Sequence, residues 1–299
     1  MAAESSRSRA SLGSVDIIIK TFLRPDCLRR LVDSILSRYP DACVSIADDG
    51  NPDQPTLEYY EDLRRRGHQV LLLPFHVGTS AGRNALVDAT SRPFLLLLDD
   101  DFVFTEQTRV ESLVEVLEAD PNIGVASGAL LDDGITLRRY EHRLRLEDGI
   151  LHYDPILSAP RTIAGHACLD ADIVLNFALF RREVFADVRW DHELKTVEHT
   201  DFFLRLARTR WRVVHVEGVL ADHHRQAPAD YQRYRTDLRS DAIVRRKWGI
   251  EATLSHQPSD ADQARRVRRA HLVAAWAALK QGRMIAAARR ILRSAAAGA

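Results

Sequence analysis

Apolar residues fall into short unbroken runs along this chain, and the stretches between them mix polar and apolar positions at helical spacing. The first run predicts a strand over 15–20, and Arg24-Pro25-Asp26 turns the chain into a helix over 27–38. A second strand over 43–47 stops at Asp48-Asp49-Gly50-Asn51-Pro52, all turn formers. A charged helix over 54–66, a strand over 69–74, a glycine-punctuated loop over 76–81 and a helix over 82–89 follow, then the run Phe94-Leu95-Leu96-Leu97-Leu98. Apolar residues without polar alternation predict a strand buried on both faces. Strands alternating with helices in this way predict a mostly parallel α/β sheet of the doubly wound type, with right-handed crossovers.

The second half is less regular. Residues 123–131 and 173–181 read as strands, 138–153 as a polar connection with weak alternation, 200–208 as a helix, and 212–220 as a strand running into Ala221-Asp222-His223-His224. Beyond Pro228 the pattern turns helical, and 262–293 is rich in Ala and Arg with apolar residues at helical spacing. The expected organisation is a disordered start over 1–14, an α/β domain over 15–227 and a helical extension over 228–299.

Asp99, Asp100 and Asp101 directly follow the apolar run, so their carboxylates emerge together at the C-terminal end of a buried strand, where open α/β sheets hold ligands. Adjacent carboxylates repel one another. A hard divalent cation, Mg²⁺ or Mn²⁺ bridging a substrate diphosphate, supplies the missing positive charge. An isolated Asp-x-Asp would more often be a solvated acidic loop; the position behind a buried strand and the motifs upstream reverse that weighting here. No Gly-x-Gly-x-x-Gly follows the first strand, and no Gly-Lys-Ser/Thr phosphate loop occurs, which argues against a dinucleotide or ATP cradle. With 299 residues the chain can bury a sizeable core, and Lys+Arg equal Asp+Glu at 42 each, so no global field favours nucleic acid. The 3 cysteines are odd in number and widely spaced, as in a reducing compartment. No apolar stretch approaches the roughly 20 residues that span a bilayer, and 1–14 lacks the apolar centre of a signal peptide. A cytoplasmic protein is expected. Arginines from Arg265 onward, interleaved with Leu272, Val273, Trp276, Leu279 and Ile285, read either as an interfacial helix at the inner face of the membrane or as an Ala-rich helix pair packed on the domain.

Lys20-Thr21-Phe22-Leu23-Arg24, Ile46-Ala47-Asp48-Asp49, Ala81-Gly82-Arg83-Asn84, Asp99 to Thr105 and Val174-Leu175-Asn176-Phe177 occur in this order. The succession resembles family 2 glycosyltransferases of the GT-A fold, and more closely the catalytic domain of animal β-1,4-N-acetylgalactosaminyltransferases that build gangliosides, over about 15–224. The resemblance implies an inverting, metal-dependent transfer of an N-acetylhexosamine or hexose from a UDP-sugar to a glycan or glycolipid. Asp49, with Asp48, would accept the uracil N–H. Thr21 and Arg83 would complete the uridine pocket, Arg83 forking onto the diphosphate, and Arg24 would belong to the same nucleotide-sugar set. Asp99 or Asp100 would contact the ribose and Asp101 would ligate Mn²⁺ or Mg²⁺, with His223, or His224 in its place, as a further ligand. Asn176 and Phe177 would face the donor or acceptor sugar, Asp170 and Asp172 would lie near the donor, and Phe180 would be core.

Within Glu198-His199-Thr200-Asp201-Phe202-Phe203 two acids compete to be the base that deprotonates the acceptor hydroxyl. Asp201 is favoured because the acid-Phe-Phe of the ganglioside-type relatives aligns with it; Glu198 is second. Taken singly, these residues have bland readings: a turn Asx for Asp48 and Asp49, an exposed ion pair for Arg83, a helix-start carboxylate for Glu198 or Asp201. Two rivals to the enzyme reading differ in testable features. A nucleotidyltransferase making an NDP-sugar needs a glycine-rich loop after the first strand, which residues 20–24 lack, and a non-catalytic UDP-sugar-binding protein needs no base, whereas both acids are present.

Overall fold

The apolar runs of the first half become the parallel core of a sheet, joined by amphipathic helices: β1 (Val15–Thr21), α1 (Pro25–Arg38), β2 (Cys43–Asp48), α2 (Gln54–Arg65), β3 (Gln69–Leu72), α3 (Thr79–Ala89) and β4 (Phe94–Asp99). The structure, a computed structural model, describes residues 12–226, 228–235 and 238–255, together with Met284 and Ala288. Pro25 opens α1, and Leu28, Leu31, Val32 and Ile35 bury one stripe of it. Asp53 caps α2 by accepting the Thr56 N–H at 3.1 Å.

The chain continues through β5 (Phe102–Val103), α4 (Val110–Ala119), β6 (Ile123–Asp132), β7 (Thr136–Arg138), β8 (His142–Glu147), β9 (Ile150–Pro155), β10 (Arg161–Ile163), β11 (His166–Ala171) and β12 (Ala178–Arg181). After these come α5 (Val184–Asp187), α6 (Glu198–Leu206), β13 (Arg212–His223), α7 (Ala229–Arg235), α8 (Leu238–Trp248) and β14 (Ala252–Ser255). The 11-stranded sheet has the order β10-β11-β13-β6-β12-β4-β1-β2-β3, with β5 added to β13 and β7 to β6. β1 pairs in parallel with β2 on one side and β4 on the other. The chain therefore leaves β1 in one direction and returns beside it from the other, and the diverging connections open a crevice at the strand C-termini. Register places Lys20 beside Asp99 and Thr21 beside Asp48 at that edge. Alternate residues feed two cores: Ile17, Ile19, Leu96 and Leu98 pack toward α1 and α4, while Ile18, Leu95 and Leu97 pack with Phe180, Trp190 and Phe202.

Several expectations change. The polar stretch 138–153 holds the β8–β9 hairpin, and β14 completes a separate three-stranded sheet by pairing in parallel with β9. Asp148 and Gly149 turn the hairpin with φ of 50° and 75°, the left-handed pair that a two-residue turn requires. The strand expected over 173–181 contracts to β12. The boundary at 227 does not mark a domain edge, because Val244 of α8 and Ile250 enter the second core and β14 joins β9. Leu12, expected in a disordered start, is 2% exposed within the first core. Apart from Met284 and Ala288, the expected lipid-facing or domain-packed helices from Arg265 onward lie outside the described residues, as do 1–11. Among the described residues no helix is long and apolar enough to cross a membrane.

Candidate active site

The crevice at the ends of β1 and β4 is a cavity of about 550 Å³ whose walls carry Asp49, Arg83, Asp99, Asp100, Asp101 and Glu198. Strand pairing sets the acidic floor. Asp99 accepts hydrogen bonds from Arg83 Nη2 at 3.1 Å and from Asn176 Nδ2 at 3.0 and 3.1 Å. Asp100, 1% exposed, takes the Thr21 hydroxyl at 2.7 Å and pairs with Arg24, whose Nη1 also reaches Asp101 at 2.7 Å. The charge that sequence reasoning assigned to a metal alone is thus met in part by Arg24, which lies 4.2 Å from the Tyr231 ring centre. Burial drives the Asp100 carboxyl up to about 6 despite Arg24. For Asp101 burial acts in the same sense, but the His223 hydrogen bond and the Arg24 charge outweigh it and hold the carboxyl below its ordinary value.

Asp101 Oδ2 faces His223 Nε2 at 3.5 Å, and His223 Nδ1 hydrogen-bonds Asp132 Oδ1 at 2.7 Å. Burial works against protonating this ring, yet its bonds to Asp101 and Asp132 raise its pKa to about 9. Carboxylate and imidazole together suit a borderline cation such as Mn²⁺. Among the described residues no group of three His, Cys, Asp or Glu side chains stands at metal-binding spacing. Asp101 and His223 are the two groups placed to hold such a cation. His224 gives its backbone N–H to the Asp101 carbonyl at 2.9 Å, and its side chain is not on the cavity wall.

At the other end Asp49 pairs with Lys20 and accepts the Gly78 N–H at 2.9 Å. Asp48, expected beside it in nucleotide recognition, is withdrawn: its carboxylate takes Tyr60 Oη at 2.6 Å and Gly50 N–H at 2.7 Å, and burial raises its pKa against those bonds. Thr21 likewise lies behind the wall, spent on Asp100. Asn176 lines the cavity, but Phe177 is fully buried core, as is Phe180. Asp170 pairs with Arg161 and Arg212, and Asp172 with Arg143, all away from the cavity.

The two competing acids are placed differently. Glu198 begins α6 on the cavity wall, its Oε1 accepting Arg83 Nη1 at 2.7 Å. Asp201, one helical turn on, is 0% exposed and holds Arg205 Nε at 2.9 Å, Trp248 Nε1 at 2.8 Å and Lys247 Nζ at 2.9 Å. It packs between α6 and α8, not in the cavity. Val197, just before Glu198, has φ 60°, a left-handed conformation that strains a β-branched residue and persists only where the surroundings enforce it.

Several lining residues escaped sequence reasoning. Phe22, His76 and Tyr234 form an aromatic wall, with Tyr234 4.8 Å from His76 and 5.3 Å from Phe22 between ring centres. Lys195 hydrogen-bonds the His76 carbonyl at 2.7 Å, and among the described residues it has no carboxylate partner. Only the position of Phe22 directly after β1 could have flagged any of these.

A profile of glycosyl transferase family 2 matches residues 16–189. The chain is 35% identical over 240 residues to beta-1,4 N-acetylgalactosaminyltransferase 1 of Homo sapiens, an alignment covering 74% of this chain and 43% of that protein. It is 32% identical over 259 residues to beta-1,4 N-acetylgalactosaminyltransferase 2 of Mus musculus, covering 81% and 47%. The chain thus spans less than half the length of these curated relatives. A crystal structure of GalNAc-T7 with UDP, GalNAc and Mn²⁺ aligns with a TM-score of 0.57 at 14% identity, over 80% of this chain and 55% of that one. S. aureus TarS in complex with UDP-GlcNAc aligns with a TM-score of 0.54 at 14% identity, over 87% and 66%. At such identity the likeness concerns the fold, which is GT-A.

Proposed function

Because the chain belongs to glycosyl transferase family 2, close to the β-1,4-N-acetylgalactosaminyltransferases, we propose that it moves a sugar from a UDP-sugar to a hydroxyl of a glycan or glycolipid, with inversion and with a divalent cation. The observation that carries the reading is one cavity joining an Asp101–His223 pair, the Asp49 carboxylate and the wall carboxylate Glu198. Mn²⁺ or Mg²⁺ held by Asp101 and His223 would neutralise charge on the departing diphosphate. Asp49, fixed by Lys20 and Gly78, keeps lone pairs for the uracil N–H, and Phe22 offers its ring to the base. Lys195, without a carboxylate to release, is available to an anionic oxygen of the donor.

Glu198 is the base in this reading. Arg83 grips Oε1, which leaves Oε2 to take the acceptor proton as the hydroxyl attacks the anomeric carbon opposite UDP. No second wall residue is needed as a covalent nucleophile, so an α-linked donor should give a β-glycoside, checked by NMR of the product anomeric proton. A UDP-release panel of UDP-GalNAc, UDP-GlcNAc and UDP-hexoses with and without Mn²⁺ tests the whole reading; no release from any donor, or full release in EDTA, overturns it. A cytoplasmic location is part of the proposal and accords with the free cysteines Cys27, Cys43 and Cys168.

A further inference from the structure

Asp132 ends β6 in register with His223 on β13, so the two side chains meet across parallel strands. Its Oδ1 holds His223 Nδ1 at 2.7 Å. Its Oδ2 is itself held by Arg138 Nε and Nη2 at 2.9 and 2.6 Å, from β7, and by Arg225 Nη2 at 3.1 Å, just past β13. The carboxylate is 17% exposed and the imidazole 12%. With Nδ1–H committed to Asp132, the opposite nitrogen, Nε2, is the one left facing Asp101. An imidazole offers a lone pair to a metal only from its unprotonated nitrogen, and a carboxylate on the other nitrogen fixes that tautomer, orients the ring and raises its basicity.

We propose that Asp132 is a positioning residue, clamped by Arg138 and Arg225, that fixes the tautomer and orientation of His223 for divalent-cation binding beside Asp101. The proposal rests on the reading of Asp101 and His223 as metal ligands. The competing account is that Asp132 only ties the β6–β7 hairpin to β13 by salt bridges. That account predicts a loss of stability with no change in metal affinity.

Titration of the full chain with Mn²⁺ in the presence of UDP, followed by the EPR signal of free Mn²⁺, separates the two. UDP affinity in EDTA, by calorimetry, is the control. His223→Ala should remove most of the Mn²⁺ affinity. Asp132→Ala should raise the Mn²⁺ Kd about 10- to 100-fold, the usual effect of losing such an outer partner. Asp132→Asn should raise it about 3- to 10-fold, since an amide oxygen still accepts Nδ1–H but carries no charge. UDP affinity in EDTA should stay within about 2-fold for both. If the wild type binds Mn²⁺, His223→Ala does not, and both Asp132 variants match the wild type, the positioning role is overturned and the metal reading stands. If the Ala variant fails to fold, the Asn variant decides alone, an unchanged Kd being the adverse result. Equal loss of UDP affinity in EDTA also overturns the role, because it shows a collapsed cavity. A wild type that binds no Mn²⁺ with UDP removes the metal reading and this inference with it.

Discussion

Glu198→Gln and Asp201→Asn should separate chemistry from stability. Gln at 198 keeps an oxygen for Arg83 Nη1, now 2.7 Å from Oε1, but cannot accept a proton. Losing a general base costs about 10²- to 10⁴-fold, or about 2.7–5.5 kcal/mol at 1.36 kcal/mol per tenfold. That loss should fall on kcat, with UDP affinity within about 2-fold of wild type, since the proton moves only in the transition state. Asp201→Asn acts elsewhere. Its carboxylate is 0% exposed and accepts from Arg205, Trp248 and Lys247; the amide leaves Arg205 short of its partner, while Lys247 keeps Asp191 at 2.6 Å. Breaking a fully buried pair costs about 3–5 kcal/mol. The Arg205 and Lys247 side chains are 26% and 33% exposed, and water relieves part of that cost, leaving about 2 kcal/mol. At about 2–4 °C per kcal/mol for a domain of this size, Tm should fall by about 4–8 °C, while kcat per folded molecule changes less than about 3-fold. Single-turnover rates and differential scanning fluorimetry on both variants decide the matter. A large loss of kcat in Asp201→Asn at unchanged Tm, with Glu198→Gln near wild type, would refute the assignment.

Three further outcomes are expected. Asp101→Ala should abolish Mn²⁺-dependent UDP binding and also lower Tm, because it removes a buried partner of Arg24 at 2.7 Å; calorimetry with Mn²⁺ and with EDTA checks the binding, and retained metal-dependent binding contradicts it. Gly78→Ala should weaken UDP binding about 10-fold or more and lower Tm, since φ is +99° and a Cβ would stand 2.7 Å from the Lys195 Cα, displacing the N–H that holds Asp49; wild-type affinity would show the loop yields freely. His199 is depressed below 6.5 by burial, opposed by Glu198, so the native state resists a proton that the unfolded chain accepts. Its contribution to stability is complete above about pH 6.5 and lost as pH falls below it, so His199→Gln should flatten the dependence of Tm on pH between about 6.5 and 5, and an unchanged slope would count against this.

Local pattern carried the first half of the chain. Apolar runs became β1 to β4 within a few residues of their expected ends, because strands in the middle of a parallel sheet are mostly apolar on both faces; Asp16 and Ser45 are buried polar exceptions, and β3 is a partly exposed edge strand. The acidic end of β4 followed from the same rule, which puts Asp99, Asp100 and Asp101 at a ligand-holding edge; Asp49 and Arg83 came from the family resemblance, and all five reach one cavity. The β8–β9 hairpin was also written in the sequence, in Asp148-Gly149, but the exposed face of β8 hid the alternation on either side of it. Long-range packing settled the remainder. Glu198 and Asp201 lie within one turn of the same helix, and what separates their surroundings is α8, whose Lys247 and Trp248 hold Asp201, Trp248 from 47 residues away. Thr21, Asp48 and Arg24 carry the right chemistry in the right order, yet each is spent on a neighbour that only the folded sheet brings near: Asp100, Tyr60, and the Asp100–Asp101 pair. Asp132 meets His223 across 91 residues through the register of two parallel strands, and no local periodicity encodes a register between strands that are not consecutive.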